Sequence, residues 1–148
     1  MDDNDLALFA VFNEIGIINQ LSSTVFQSRL PDGLLVSHFS VLNHLARLGD
    51  GRTPLSIANA FQVPKTTMTH TLGALEKRRL IKMAPNPADG RSKVVVLTEA
   101  GQKAREDAIA AMTGPLHRLA EGVGRDALMD LLPRLAALRE FLDDNRNI

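Results

Sequence analysis

Apolar residues recur three and four positions apart through the opening stretch: Leu6, Phe9, Phe12, Ile15, Ile18, Leu21, Val25 and Phe26. That spacing lays one apolar stripe along a helix and predicts a helix over 5–30. Pro31-Asp32-Gly33 supplies the stop. A second helix is predicted over 37–48, with Ser37 as its N-cap and Asp50-Gly51 beyond its end. Thr53-Pro54 opens a short third helix carrying Leu55, Ile57, Ala58 and Phe61. Gln62-Val63-Pro64 reads as a turn, and a fourth helix follows over 65–78.

The period then changes. Residues 81–84 and 94–97 are short, β-prone runs, separated by a loop with Pro85, Pro87 and Gly90. They predict a hairpin with a loop too long for a tight two-residue turn. Thr98 is placed to cap a fifth helix, with Glu99 near its positive end. Gly114-Pro115 predicts a kink or interruption. A last helix is expected over 125–143, striped by Leu128, Leu131, Leu132, Leu135, Leu138, Phe141 and Leu142, with Pro133 bending it. The expected fold class is mostly α with a small β-wing: a winged helix-turn-helix plus a lobe formed by the N- and C-terminal helices.

A helix followed by a basic-tipped hairpin suggests a module that reads duplex DNA. In the 65–78 helix, Met68, Leu72 and Leu75 fall within about 60° of one another and form the buried stripe. The opposite side holds Thr66, His70, Gly73 and Lys77, flanked by Thr67 and Ala74. Short polar side chains on such a face approach base edges closely. Thr66, Thr67 and Thr69 offer hydroxyls and methyls, His70 suits a guanine or a phosphate, and Lys65 and Lys77 suit phosphates. In the hairpin, Arg91 is positioned to enter a minor groove, Asp89 to hold its guanidinium, and Lys93 to neutralise a phosphate. The plainer alternative is an amphipathic surface helix beside a solvated hairpin.

Charge bears on that choice. The chain of 148 residues has no net charge at pH 7. Between residues 65 and 105, however, nine cations face three anions, whereas residues 1–50 carry two cations and six anions. A basic middle between acidic ends fits a localised phosphate-binding face. Apolar residues make up 45%, enough for a packed core. The absence of cysteine excludes disulfides, thiolate zinc sites and thiol redox switches. Neither a run of about 18 apolar residues nor a signal-like opening is present, so a soluble, cytoplasmic protein with no membrane partner is expected.

At Asn86-Pro87-Ala88-Asp89-Gly90-Arg91-Ser92-Lys93-Val94-Val95-Val96-Leu97-Thr98-Glu99-Ala100-Gly101 the chain resembles the multiple antibiotic resistance regulator (MarR) family of winged-helix proteins. The stretch is similar to that family's wing: an Asp-x-Arg tip, a strand, then Leu-Thr-x-x-Gly opening a helix. Residues 66–78 resemble its recognition helix and residues 55–61 the helix before it. Three positions depart from the family pattern: His70 stands where arginine is usual, Pro64 where a serine-like cap is frequent, and Arg79 where glycine is frequent.

The resemblance implies a winged helix-turn-helix lobe over 35–100 and a helical dimerisation region over 1–34 and 101–148. It further implies a homodimer on a pseudo-palindromic operator in double-stranded DNA. The apolar stripes of both terminal helices agree with a dimer, unless they pack on each other within one chain. It also implies a transcriptional regulator, commonly a repressor, released by a small, often aromatic or phenolic ligand. Phe12, Ile15, Asn19 and His38 are the candidate lining for that effector, with His38 as anchor for a carboxylate. No cofactor is expected.

Two other readings stay open. A metal-responsive regulator would draw on His38, His44, His70 and His117, with Asp2, Asp3 and Glu106, but no ligand spacing is recognisable. His38 and His44 lie about 240° apart on a helix. A winged helix used only for protein contact would not need the basic segment or Arg91. An enzyme is not expected: neither a Gly-rich phosphate loop nor a nucleophile elbow occurs.

Overall fold

The computed structural model describes residues 2–31 and 33–146, omitting the side chain of Asp3. Asp32, part of the expected stop, and the Asp3 carboxylate, weighed as a metal ligand, lie outside the described residues. Helices α1 (Asp3–Gln27), α2 (Val36–Leu48), α3 (Pro54–Ala60) and α4 (Lys65–Lys77) precede strands β1 (Ile81–Pro85) and β2 (Lys93–Leu97). Helices α5 (Glu99–Ala110), α6 (Thr113–Val123) and α7 (Arg125–Asp144) follow. Residues 1–111 and 112–148 form two compact units.

In the first unit, α1 starts earlier than its apolar pattern predicts. The Asp2 carboxylate accepts the Asp5 N–H at 2.8 Å, and the Asp5 carboxylate accepts the Asp2 N–H at 3.1 Å. This reciprocal capping box places two anions at the positive end of the helix. Residues 4–27 are long and apolar enough to cross a membrane by length and composition alone, with mean hydropathy 1.2. Asn13, Glu14, Asn19 and Gln20 in mid-segment would be costly in hydrocarbon.

The expected N-cap of α2 is corrected. Leu35, not Ser37, is the cap residue, and its side chain has nothing to accept with. His38 Nδ1 accepts the Leu35 N–H at 3.2 Å, and Gln27 Oε1 accepts the Val36 N–H at 3.0 Å. Gln27 Nε2 donates to the Leu34 carbonyl at 3.0 Å, so the end of α1 holds the start of α2. The Phe26 and Phe39 rings meet edge to face with centroids 4.6 Å apart across the same junction.

The core gathers Leu34, Val41, Leu42 and Leu45 around Ile57, Met68, Leu72, Leu75, Ile81 and Val95. Each such side chain contributes roughly 1.5–3 kcal/mol by leaving water. Helices α3 and α4 end alike. Gln62 and Arg79 adopt positive φ of 54° and 60° just past the helices. Val63 N–H reaches the Ala58 carbonyl at 3.1 Å, and Leu80 N–H reaches the Leu75 carbonyl at 3.0 Å. Both are Schellman motifs with a non-glycine in the left-handed position.

Strands β1 and β2 pair antiparallel from Ile81↔Leu97 to Pro85↔Lys93. The free side of β2 is covered: Val95 N–H donates to the Arg52 carbonyl at 2.8 Å, and Leu97 N–H to Asp50 Oδ1 at 3.1 Å. Glu76 Oε1 accepts the Met83 N–H of β1 at 3.3 Å, so α4 braces the other strand. Both edges therefore have partners rather than bare backbone. Gly101 explains the close join of hairpin and α5. A Cβ there would collide with the Leu80 carbonyl oxygen and approach Leu97 Cδ1 to 2.8 Å.

In the second unit, α6 and α7 are joined at Gly124 (φ 97°). The predicted interruption falls at Ala111–Met112, just before α6. Pro115 then occupies the first turn of α6, where a missing N–H leaves no bond unmade. Helix α7 runs through Pro133. None of its side chains is fully buried, and Met129, Leu131, Leu132, Leu135 and Phe141 are exposed. Exposed apolar residues also line α1, among them Phe9, Phe12, Ile18 and Leu21.

Candidate nucleic-acid interface

Helix α4 is anchored by Met68, Leu72 and Leu75, all 3% exposed or less, so its opposite face is fixed outward. Lys65, Thr66, Thr67, Thr69, His70, Gly73 and Lys77 are exposed there, as their helical positions predict. Thr69 Oγ1 donates to the Lys65 carbonyl at 2.8 Å. Its hydroxyl proton is thus committed within the helix, leaving lone pairs and a methyl for an incoming partner. Thr66 and Thr67 make no side-chain hydrogen bond among the described residues. Pro64 gives α4 no side-chain cap, and the first N–H bonded within the chain is that of Met68, to the Pro64 carbonyl at 3.1 Å. The N–H groups before it are placed to receive an anion such as phosphate.

The wing tip is built by two short polar side chains. Asn86 Oδ1 accepts the Ala88 N–H at 3.0 Å, and Asn86 Nδ2 donates to Ser92 Oγ at 2.8 Å across the loop. Asp89 Oδ1 accepts the backbone N–H of Arg91 at 3.0 Å. This corrects one expectation: Asp89 shapes the turn through the Arg91 backbone, and no Asp89–Arg91 ion pair occurs among the described residues. A carboxylate two residues upstream closes an Asx turn at no cost in long-side-chain entropy, whereas fixing the exposed guanidinium would carry that cost. Arg91 and Lys93 remain exposed beside this hydrogen-bonded turn.

Lys65 and Lys77 thus stand exposed on α4, and Arg91 and Lys93 stand exposed on the wing. The two acids of this region, Glu76 and Asp89, both accept backbone N–H groups. Asn86, Ser92, Glu76 and Asp50 support the interface without having been singled out. Asn86 and Asp89 carried a readable signal as turn formers. Asp50 was legible only in the Asp50-Gly51 stop, and nothing local marks its bond to Leu97, 47 residues away.

The candidate effector residues are placed differently. Phe12 and Asn19 are exposed and Ile15 half-buried on one side of α1. His38 is 7% exposed. Burial lowers its pKa below the ordinary 6.5, helped by Arg78 and His70, while a hydrogen bond with the Gly33 backbone opposes the shift. Its Nδ1 accepts the Leu35 N–H, so the ring is a structural acceptor at the start of α2. Among the described residues, no group of three or more His, Asp or Glu is placed to hold a metal ion.

Residues 32–92 match a family model described as MarR family. The fold is similar to that of a mutant Escherichia coli MarR complexed with operator DNA: TM-score 0.72, 22% identity, covering 93% of this chain and 99% of that one. BldR from Sulfolobus solfataricus is similar with TM-score 0.73 and 22% identity, covering 93% and 99%. Bordetella bronchiseptica BpsR, whose DNA binding is regulated by 6-hydroxynicotinic acid, is similar with TM-score 0.66 and 24% identity, covering 86% and 98%. No curated protein sequence matches the chain. Residues 32–92 thus carry a match to the MarR family, and the chain shares the winged helix-turn-helix fold of these solved structures.

Proposed function

We propose that this protein is a transcriptional regulator that binds duplex DNA as a homodimer. The observation that carries the proposal is the joint placement of the α4 outer face and Arg91 on one basic segment. Lys65, Lys77 and Lys93 neutralise phosphates, Thr66, Thr67, Thr69 and His70 meet base edges, and Arg91 enters the adjacent minor groove. Asp89 keeps the tip in shape for that insertion. The operator-bound relative supports this reading.

The exposed apolar faces of α1 and of α7 support dimerisation, since water-facing stripes of this kind call for a second copy. Residues 35–100 form the DNA-reading lobe, and residues 1–34 and 101–148 the dimerisation region. Two copies present two α4 helices to half-sites about one helical turn apart. We further propose repression relieved by a small aromatic acid or phenol. The regulation of BpsR by 6-hydroxynicotinic acid supports a ligand of that class. Phe12, Ile15 and Asn19 offer a lining, and His38 would anchor an anion only by exchanging its backbone partners.

The test is binding of the full chain to the intergenic DNA upstream of its own gene and to a scrambled duplex, across a salt series. Preference for the native DNA, a two-fold symmetric footprint and a steep salt dependence are expected. Weak binding, equal on both duplexes, would overturn the reading.

A further inference from the structure

Gly73 stands in mid-α4 on the exposed face, three residues after His70 and four before Lys77. A Cβ built on it meets nothing within 4 Å, and its φ is ordinary for a helix. The folded chain gains nothing from glycine here, yet glycine weakens a helix interior relative to alanine. The adjacent Ala74 is also small. Together they leave bare backbone at the floor of a shallow concavity lined by Thr69, His70, Glu76 and Lys77. His70 is a short side chain beside the longer Lys77, so its ring touches a base edge only if the helix axis lies close to the base pairs.

We propose that Gly73 is a specificity-determining position of the DNA interface: the missing Cβ lets α4 seat deeply enough in the major groove for His70 and the threonines to reach base edges. This rests on the DNA-binding reading above. Removing a Cβ brings the backbone nearer to its partner, whereas phosphate contacts by Lys77 tolerate a shallower seat because that side chain is long and flexible.

The experiment first uses the full-length wild-type protein to enrich a duplex from a library with a randomised core. Gly73→Ala is then compared with wild type on that duplex and on a scrambled version. The variant is expected to melt about 2–4 °C higher, because alanine is the better helix former and meets no obstruction. Its affinity for the enriched duplex is expected to fall about tenfold or more, the scale of a lost base contact, while that for the scrambled duplex stays within about twofold. Lys77→Ala is expected to weaken both duplexes alike. Unchanged affinity of Gly73→Ala on both duplexes overturns the proposal, as does equal loss on both. If the wild-type protein enriches no sequence, the DNA-binding reading itself falls, before any variant is made.

Discussion

The Thr98 hydroxyl donates to the Arg79 carbonyl at 2.8 Å while accepting the Gly101 N–H at 3.0 Å. One side chain thus caps α5 and ties it to the exit of α4, the helix with the exposed polar face. Thr98→Ala is expected to cost about 1–2 kcal/mol in urea unfolding, with Thr98→Ser retaining most of the stability. An alanine variant as stable as wild type would show that the link carries no energy.

Arg79 itself adopts φ 60° in a position that glycine fills without strain. Arg79→Gly relieves that strain but adds freedom to the unfolded chain, so a net gain of up to about 1 kcal/mol is expected. Chemical denaturation checks the sign.

Arg91 contributes its backbone N–H, not its guanidinium, to the wing turn. Arg91→Ala is therefore expected to leave circular dichroism and melting unchanged while weakening the proposed binding to duplex DNA by about 1–3 kcal/mol. Asp89→Ala removes the turn's acceptor and is expected to loosen the tip as well. Wild-type affinity in Arg91→Ala would remove the wing from the interface.

His38 titrates below its ordinary 6.5 when folded, chiefly through burial. The unfolded chain then binds more protons than the folded one in the interval between the two values. Stability is full above pH 6.5 and declines as pH falls through the depressed folded value, where it levels off. His44 shifts in the same direction, chiefly through burial. His38→Asn keeps an acceptor for the Leu35 N–H and is expected to flatten this acid-side slope in part. Urea midpoints at a series of pH values measure it; an unchanged slope would leave His38 without a part in it.

Leu135 is 41% exposed on α7. If this face is covered by a second copy, Leu135→Glu is expected to shift sedimentation from dimer toward monomer. A variant that stays a stable dimer would place the interface elsewhere.

Helices and hairpin were legible because each follows from local rules. Met68, Leu72 and Leu75 announce one face of α4 by spacing alone, and the same spacing places Thr66, His70 and Lys77 opposite. Thr98 announces its cap, and Asn86 and Asp89 their turns. The misreadings came where partners are distant or where one polar group has a choice of acceptors. Ser37 looked like a cap, but the N–H groups at the start of α2 find His38 and Gln27 instead. Asp89 was expected to hold a guanidinium, but the nearer Arg91 N–H takes it.

Periodicity and turn chemistry act between neighbours in the chain, so the order of elements, the outward face of α4 and the basic segment could be read directly from the residues. The bracing of the wing could not. Asp50, Arg52 and Glu76 meet strand N–H groups whose positions exist only once the chain has folded. Gly101 is required for the same reason, because the Leu80 carbonyl arrives beside it only through packing. Hydrogen-bond satisfaction at sheet edges is a three-dimensional condition, and it leaves no period in the sequence.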